Sequence, residues 1–238
     1  MSSGAEQIKK DLSQYVDPEK AAFLPKFFKT AKGQYGEGDH FIGVTVPNQR
    51  TVAKRHYKSV TLEDVHALLC EPTHEYRLTA LFMLVYKFEK AKAEREKRDI
   101  VNFYLDNYSY INNWDLVDSS ADKILGAYLF DKDKSVLYDF AKSEHLWQQR
   151  IAIISTYYFI KNKHYNDTLE IAKILLQHKH DLIHKAVGWM LREVGNRDFA
   201  VEYEFLKQHY KEMPRTMLRY AIEKFEPELR LKFLKGMI

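Results

Sequence analysis

The segment EYRLTALFMLV, residues 75–85, places apolar side chains three and four residues apart along most of its length. Leu78, Leu81, Phe82 and Val85 would therefore lie on one face of a helix. Comparable spacing recurs through the chain, whose 238 residues include only 9 Gly and 6 Pro. Because these two residues interrupt helices and are scarce here, the sequence predicts an all-α protein.

A repeat extends from this segment towards the C-terminus. Positions roughly 35 residues apart, the length of a helical hairpin repeat, are occupied by Arg77, Trp114, Arg150, Lys185 and Arg219. Most of these are basic residues that lead into an apolar helix. Stacked hairpins form an α-solenoid, and we expect a curved one with a basic concave face. Such a face suits duplex nucleic acid, but a protein-binding solenoid fits the repeat pattern equally well.

Short polar residues and one Gly-rich segment divide the chain into helices. Helix starts are indicated where a short polar side chain can accept the free amide hydrogens of a first turn, at Asp17, Thr61, Ser143 and Asn166. The main interruption is a Gly-rich loop over residues 30–46, with Pro47 in the first turn of the helix that follows. We treat residues 1–238 as a single repeat domain that contains this loop.

Composition and motifs exclude several classes of protein. A single cysteine, Cys70, leaves no internal disulfide and no cysteine-based zinc site. The sequence lacks the glycine-rich P-loop, the His-Glu-x-x-His zinc motif and the Gly-x-Ser-x-Gly elbow. The net charge of +4 permits a polyanionic partner without requiring one. A polar start and no apolar run near the roughly 20 residues that span a bilayer predict a cytoplasmic protein outside membranes.

A candidate site combines two indoles with a carboxylate. Trp114 and Asp118 are four residues apart, so on a helix they share one face, and Trp189 occupies a later repeat. Taken singly, each has a simpler explanation: the tryptophans fill the core, and the aspartate is a surface or capping residue. Together they form a group that can stabilise a cation, while phosphates are held by a rim of Arg150, Lys185 and Arg192.

Four motifs carry a resemblance to a known family. They are NWDLVDS at 113–119, WQQRIAI at 147–153, KAVGWMLRE at 185–193 and, more weakly, FIGVTVP at 41–47. With the helical pattern they cover nearly the whole chain, which resembles the AlkD-type DNA alkylation repair glycosylases. The resemblance implies an α-solenoid of HEAT-like helical hairpin repeats. One departure from the family pattern is a longer Gly-rich segment, Gly33 to Asp39.

The resemblance also implies residue roles. Positions matching Trp114, Asp118 and Trp189 form the catalytic cleft of the family, and the position matching Arg150 holds the DNA backbone. Further DNA contacts are expected from Gln149, Lys185, Arg192 and Arg50.

The implied activity is hydrolysis of the N-glycosidic bond of cationic alkylated purines, such as 3-methyladenine and 7-methylguanine. It acts on double-stranded DNA, as in base excision repair. We expect no metal, no cofactor and a monomeric enzyme. The alternatives are a non-catalytic DNA-structure-binding protein on the same scaffold and a protein-interaction solenoid.

Overall fold

Residues 3–238, which a computed structural model describes, form helices joined by turns and loops, without a β-strand. The predicted all-α fold is confirmed. The helices are α1 Ser3–Ser13, α2 Pro18–Phe27, α3 Val46–His56, α4 Leu62–Leu69, α5 His74–Lys90, α6 Glu94–Asp106, α7 Trp114–Ala121, α8 Ala127–Leu129, α9 Ser135–Lys142, α10 Leu146–Lys161, α11 Asn166–Ile174, α12 Asp181–Gly195, α13 Phe199–His209, α14 Arg215–Ala221 and α15 Pro227–Lys235. A π-helical turn, Asp122–Gly126, joins α7 to α8.

The chain divides into two compact units, Met1–Ser120 and Ala121–Ile238. In the first unit, α5 packs against α3, α4 and α6, and α1 packs against α3 and α4. In the second unit, α10 packs against α9, α11 and α12, and α12 packs in turn against α13 and α14. The expectation of a single domain over the whole chain stays a prediction.

Helix α5 is the centre of the first unit. Leu78, Leu81, Phe82 and Val85 are buried, as the spacing predicts. Residues between them are buried as well, including Ala80, Met83 and Leu84. A helix that is apolar on all sides belongs in the interior of a helical layer, because neighbours must cover every face.

Helices α10 and α12 have the same role in the second unit. Each contributes a block of four apolar residues that are less than 2% exposed, namely Ile151, Ala152, Ile153 and Ile154 in α10 and Ala186, Val187, Met190 and Leu191 in α12. Burial of such side chains stabilises the fold by about 25 cal/mol for each Å² removed from water.

The repeat positions of the sequence fall at matching places in the structure. All five lie in the first or second turn of a helix: Arg77 in α5, Trp114 in α7, Arg150 in α10, Lys185 in α12 and Arg219 in α14. The expectation that the basic side chains all reach the surface is wrong at two of these positions. Arg77 and Arg150 are 4% and 5% exposed, because buried carboxylate, amide or carbonyl oxygens accept hydrogen bonds from their guanidinium groups.

Two glycines show the repeat in the packing of the second unit. A Cβ atom on Gly126 would lie 2.2 Å from the carbonyl oxygen of Ser155, and one on Gly188 would lie 2.5 Å from that of Met217. The partner is 29 residues further along the chain in both cases, and each Cβ would also contact a tyrosine three residues after that partner. Equivalent helices therefore approach each other through equivalent glycines.

Two of the four predicted helix starts are confirmed and two are shifted. Asp17 caps α2, and Thr61 caps α4 in a capping box with Asp64. At the third start the cap is His145 rather than Ser143, since the His145 imidazole accepts from the Gln148 amide. At the fourth start, Asn166 is already the first residue of α11, so the capping position belongs to the preceding residue.

Candidate active site

Helix α7 presents Trp114 and Asp118 side by side. Trp114 is the first residue of the helix and Asp118 follows one turn later, which places both on one face. Both are partly exposed. The other side of the helix is buried through Leu116, Val117 and Ser120. This face therefore offers an indole and a carboxylate together to solvent.

A buried amide fixes the start of α7. Asn113 is 0% exposed, and its side-chain oxygen accepts a hydrogen bond from the Trp114 amide at 2.9 Å. Its Nδ2 donates to Asp39 Oδ2, also at 2.9 Å. Asp39 closes the Gly-rich loop and is itself buried. The longer loop is thus tied directly to the residue before Trp114.

The same carboxylate belongs to a buried ionic cluster. The His74 imidazole lies between two carboxylates, with Nδ1 2.9 Å from Asp39 Oδ2 and Nε2 2.8 Å from Asp115 Oδ2. Burial alone would lower the pKa of His74, but Asp115 and Asp39 raise it to about 9. Although burial opposes the shift, His74 and Arg77 hold the pKa of Asp39 below its usual value. A charged imidazole therefore joins the Gly-rich loop to the first turn of α7.

Aromatic rings pack around the Trp114 indole. Phe28 is stacked on it, with centroids 5.3 Å apart and planes at 10°. Phe27 meets it edge to face at 6.1 Å, and Phe41 is stacked on Phe28 at 5.0 Å. Sequence reasoning did not find these rings, and the only available signal was the Phe27-Phe28 pair just before the Gly-rich loop.

Trp189 has a comparable setting in the second unit. It lies in the middle of α12, is partly exposed, and its Nε1 donates to Glu193 at 3.2 Å. Its ring packs on Tyr157 with centroids 5.7 Å apart. Tyr157 in turn lies under two cations, Lys161 at 4.8 Å and Arg197 at 5.7 Å. Sequence reasoning missed this tyrosine and its two basic neighbours.

Gln149 and Arg150 are mostly buried, and both hold loop backbone in place. Gln149 donates to the Ser143 carbonyl at 2.7 Å, and its Oε1 lies 2.8 Å from His178 Nε2. Arg150 donates to the Leu182 carbonyl at 2.5 Å. These bonds fix the segments that precede α10 and α12. Their expected contact with DNA stays a prediction.

The remaining basic candidates are more accessible. The Lys185 side chain is 39% exposed and pairs with Asp181 at 2.9 Å. Arg192 is 18% exposed and pairs with Glu223. The Arg50 guanidinium lies 3.9 Å from the centre of the Phe82 ring, a cation–π contact. Both ion pairs leave the cations within reach of a competing phosphate.

The candidates belong to both units. Trp114, Asp118 and Arg50 are in the first, and the others are in the second, namely Gln149, Arg150, Lys185, Trp189 and Arg192. Convergence of the two indoles in one cleft stays a prediction. Within residues 3–238, no group of three or more His, Cys, Asp or Glu side chains is arranged to hold a metal ion. Across the same range, no helix is both long and apolar enough to cross a membrane.

The helical fold and its motifs define a class of DNA repair protein. The family model described as DNA alkylation repair enzyme matches residues 8–225, so the chain belongs to that family. The resemblance to AlkD-type enzymes is thereby confirmed. A comparison with curated protein sequences gave no match.

Solved structures show the same helical repeat fold. One described as a predicted DNA alkylation repair enzyme from Enterococcus faecalis has a TM-score of 0.70 and 16% identity, and the match covers 89% of this chain and 97% of that one. AlkD2 from Streptococcus mutans has a TM-score of 0.55 and 16% identity, with 88% and 99% covered. The protein smu.31 from Streptococcus mutans UA159 has a TM-score of 0.55 and 17% identity, with 90% and 98% covered.

Proposed function

We propose that this protein is a DNA glycosylase that hydrolyses the N-glycosidic bond of cationic alkylated purines in duplex DNA. Substrates of this class include 3-methyladenine and 7-methylguanine. The observation that carries the proposal is the partly exposed face of α7, where Trp114 and Asp118 lie one turn apart. Membership of the DNA alkylation repair family supplies the substrate class.

The chemistry follows from the charge on the substrate. An alkylated purine of this kind is already positive, so it departs as a neutral base when the bond from C1′ breaks and its electron pair moves to the ring. Positive charge then develops on the deoxyribose. Water adds to C1′ and loses one proton. Asp118 stabilises the developing cation and orients the water, which is electrostatic catalysis without a covalent intermediate.

The two indoles stabilise the same cation through their faces. Cation–π attraction requires that a ring face be within about 6 Å of the charge and open to it. Trp114 and Trp189 are both partly exposed, whereas Trp147, the third tryptophan, is 6% exposed. Their accessibility favours the functional interpretation over simple core packing.

Basic residues of the second unit hold the DNA backbone in this proposal. Lys185 and Arg192 are the direct phosphate contacts, because a phosphate can displace Asp181 or Glu223 from them. Arg50 is a further candidate in the first unit. Gln149 and Arg150 stay candidates for DNA contact, and their buried bonds assign them a second task, which is to hold the segments before α10 and α12.

The deciding experiment measures release of methylated purines from duplex DNA treated with a methylating agent. Asp118→Asn keeps the size of the side chain and removes its charge. We expect it to lower release by about two orders of magnitude or more, while its melting temperature and DNA affinity stay close to wild type. The matched control is Asp99→Asn, the same change at an exposed carboxylate of α6, which should release purines at the wild-type rate.

Other outcomes would change the conclusion. Equal release by Asp118→Asn and wild type would remove the carboxylate from the mechanism. No release by wild type, with salt-sensitive DNA binding retained, would identify a non-catalytic DNA-structure-binding protein instead.

A further inference from the structure

Helix α2 exposes aromatic residues that the proposed reaction does not use. None of its residues is buried, and the Phe23 and Phe27 side chains are 62% and 53% exposed. Their rings are stacked with centroids 6.3 Å apart and planes at 26°. Isolated apolar residues are common on surfaces, but a stacked pair of rings offers an extended flat area that water solvates poorly.

The helix that carries these rings is fixed in place. The Asp17 amide donates to the Ile42 carbonyl at 3.1 Å, and the Asp17 side chain caps the helix. A Cβ atom on Gly43 would lie 2.0 Å from the Asp17 carbonyl oxygen and 2.9 Å from the Ala21 nitrogen. The Gly43 amide is held in turn by Glu75 at 2.7 Å. The loop therefore lies directly against the first turn of α2, which makes the ring pair a preformed surface.

The ring pair is continuous with the proposed catalytic indole. Phe27 contacts Phe23 on one side and Trp114 on the other, at centroid distances of 6.3 and 6.1 Å. A row of three rings thus runs from the surface of α2 to the residue that opens α7. Any flat ligand stacked on Phe23 and Phe27 would lie beside Trp114 and Asp118.

Charge identifies the chemistry of the occupant. Residues 18–32 contain four lysines, Lys20, Lys26, Lys29 and Lys32, against one acidic residue, Glu19. All four lysines are exposed. Aromatic faces interleaved with cations match single-stranded nucleic acid, because bases stack on the rings and phosphates bind the cations. An apolar protein groove would satisfy the rings but leave the cations without partners.

We propose that α2 is a stacking surface for unpaired bases of DNA, with Phe23 and Phe27 receiving the bases and Lys26 and Lys29 contacting their phosphates. The inference rests on the proposed function for its DNA substrate. It adds that nucleotides next to the lesion leave the duplex stack and settle on α2. Loss of base pairing at a damaged site is cheapest where the base is already modified.

The test uses a duplex with a two-nucleotide bulge that contains 2-aminopurine, whose fluorescence reports stacking on a ring. The protein is the full chain in the Asp118→Asn background, so that excision does not alter the DNA. We expect binding to quench the fluorescence and the double variant Phe23→Ala, Phe27→Ala to abolish the quenching. Its affinity for the bulged duplex should fall about tenfold or more, since each stacked base contributes substantially, with the salt dependence unchanged.

Two further variants separate stacking from general apolar contact. Phe23→Trp, Phe27→Trp keeps flat rings and should retain the quenching, whereas Phe23→Leu, Phe27→Leu keeps apolar volume and should lose it. The matched control is Phe199→Ala on α13, where the ring is 50% exposed, and it should bind as wild type. All these positions are exposed, so the variants should melt near the wild-type temperature.

Each result bears on one proposal. Quenching that survives in the alanine and leucine variants would overturn the stacking surface. A change of oligomeric state in sedimentation, with DNA binding unaltered, would assign α2 to contact between copies of the chain and would also overturn it. Quenching by a protein that releases no methylated purine would support the stacking surface while the glycosylase proposal fails.

Discussion

Trp114 lies parallel to Phe28, with ring planes 10° apart and centroids 5.3 Å apart. Phe28 is buried and also packs on His74, at 4.8 Å. One face of the indole is therefore covered by a side chain that is itself held by the buried ionic cluster. The orientation of Trp114 is set from outside its own helix, by the residue that ends α2.

Phe28→Leu should uncouple the position of Trp114 from its presence. Leucine keeps most of the apolar volume, so the loss of stability should be less than about 1.5 kcal/mol. Purine release should fall by roughly one to two orders of magnitude, because small displacements of catalytic groups have large effects on rate. Phe205→Leu, a change at a similarly buried ring of α13, should leave release unaltered. Wild-type release by Phe28→Leu would show that the stack does not position the indole.

Trp189→Ala should separate a site residue from a core residue. Since Trp189 is partly exposed, its removal should lower purine release and DNA affinity while the melting temperature falls only slightly. Trp147→Ala is the matched comparison: Trp147 is 6% exposed, and its loss should destabilise the protein by about 3–5 kcal/mol. Equal destabilisation by the two changes, measured by thermal denaturation, would return Trp189 to the core.

Arg192→Ala should reduce the salt dependence of DNA binding. Each phosphate contact contributes about one unit to the slope of log affinity against log salt concentration. Glu223→Gln should act in the opposite direction and strengthen binding, because Glu223 competes with DNA for Arg192. Lys173→Ala, which removes an exposed lysine paired with Glu170 at 2.7 Å, serves as the control. An unchanged slope in Arg192→Ala would exclude this contact.

The buried His74 should make stability depend on alkaline pH. Its pKa is raised from 6.5 to about 9 in the folded chain. The stabilisation from its charge is therefore complete below pH 6.5 and lost as the pH rises through 9. We expect the melting temperature of wild type to fall between pH 7 and pH 10 by more than that of His74→Gln. Parallel curves for the two proteins would mean that His74 is uncharged in the native state.

Glu202 should contribute a second pH dependence in the other unit. It is 2% exposed, and burial raises its pKa to about 9, partly offset by Arg192. The folded chain thus keeps it protonated while the unfolded chain ionises it above pH 4.5, so stability falls from pH 4.5 towards 9. Glu202→Gln should raise the melting temperature near pH 8 by about 3 °C or more, with no gain at pH 4. A gain that is equal at both pH values would contradict the raised pKa.

Local patterns were enough to predict the helices. The apolar spacing in residues 75–85 identified α5, and the capping residues Asp17 and Thr61 located two helix starts. Both signals act within one or two turns of chain. The same rule misplaced the start of α10, since Ser143 precedes the helix by too many residues and the His145 ring takes its place.

The surroundings of the site could not be predicted in this way. Phe28 and Asp39 reach the start of α7 across more than 70 residues of sequence, and no local pattern specifies which ring stacks on which. For Arg150, the motif located the residue correctly, but its burial follows from a bond to Leu182, 32 residues away. Motifs therefore named candidate residues, and only tertiary contacts showed which ones solvent can reach.

Gly188 lies one residue before Trp189, in the stretch that resembles the AlkD-type family. A Cβ atom there would lie 2.5 Å from the Met217 carbonyl oxygen and 2.6 Å from the Tyr220 Cβ. Helix α12 can therefore rest on α14 with nothing but hydrogen between them, and any larger residue would act as a wedge. The accuracy with which the Trp189 indole is placed thus depends on the absence of a single methyl group from its neighbour.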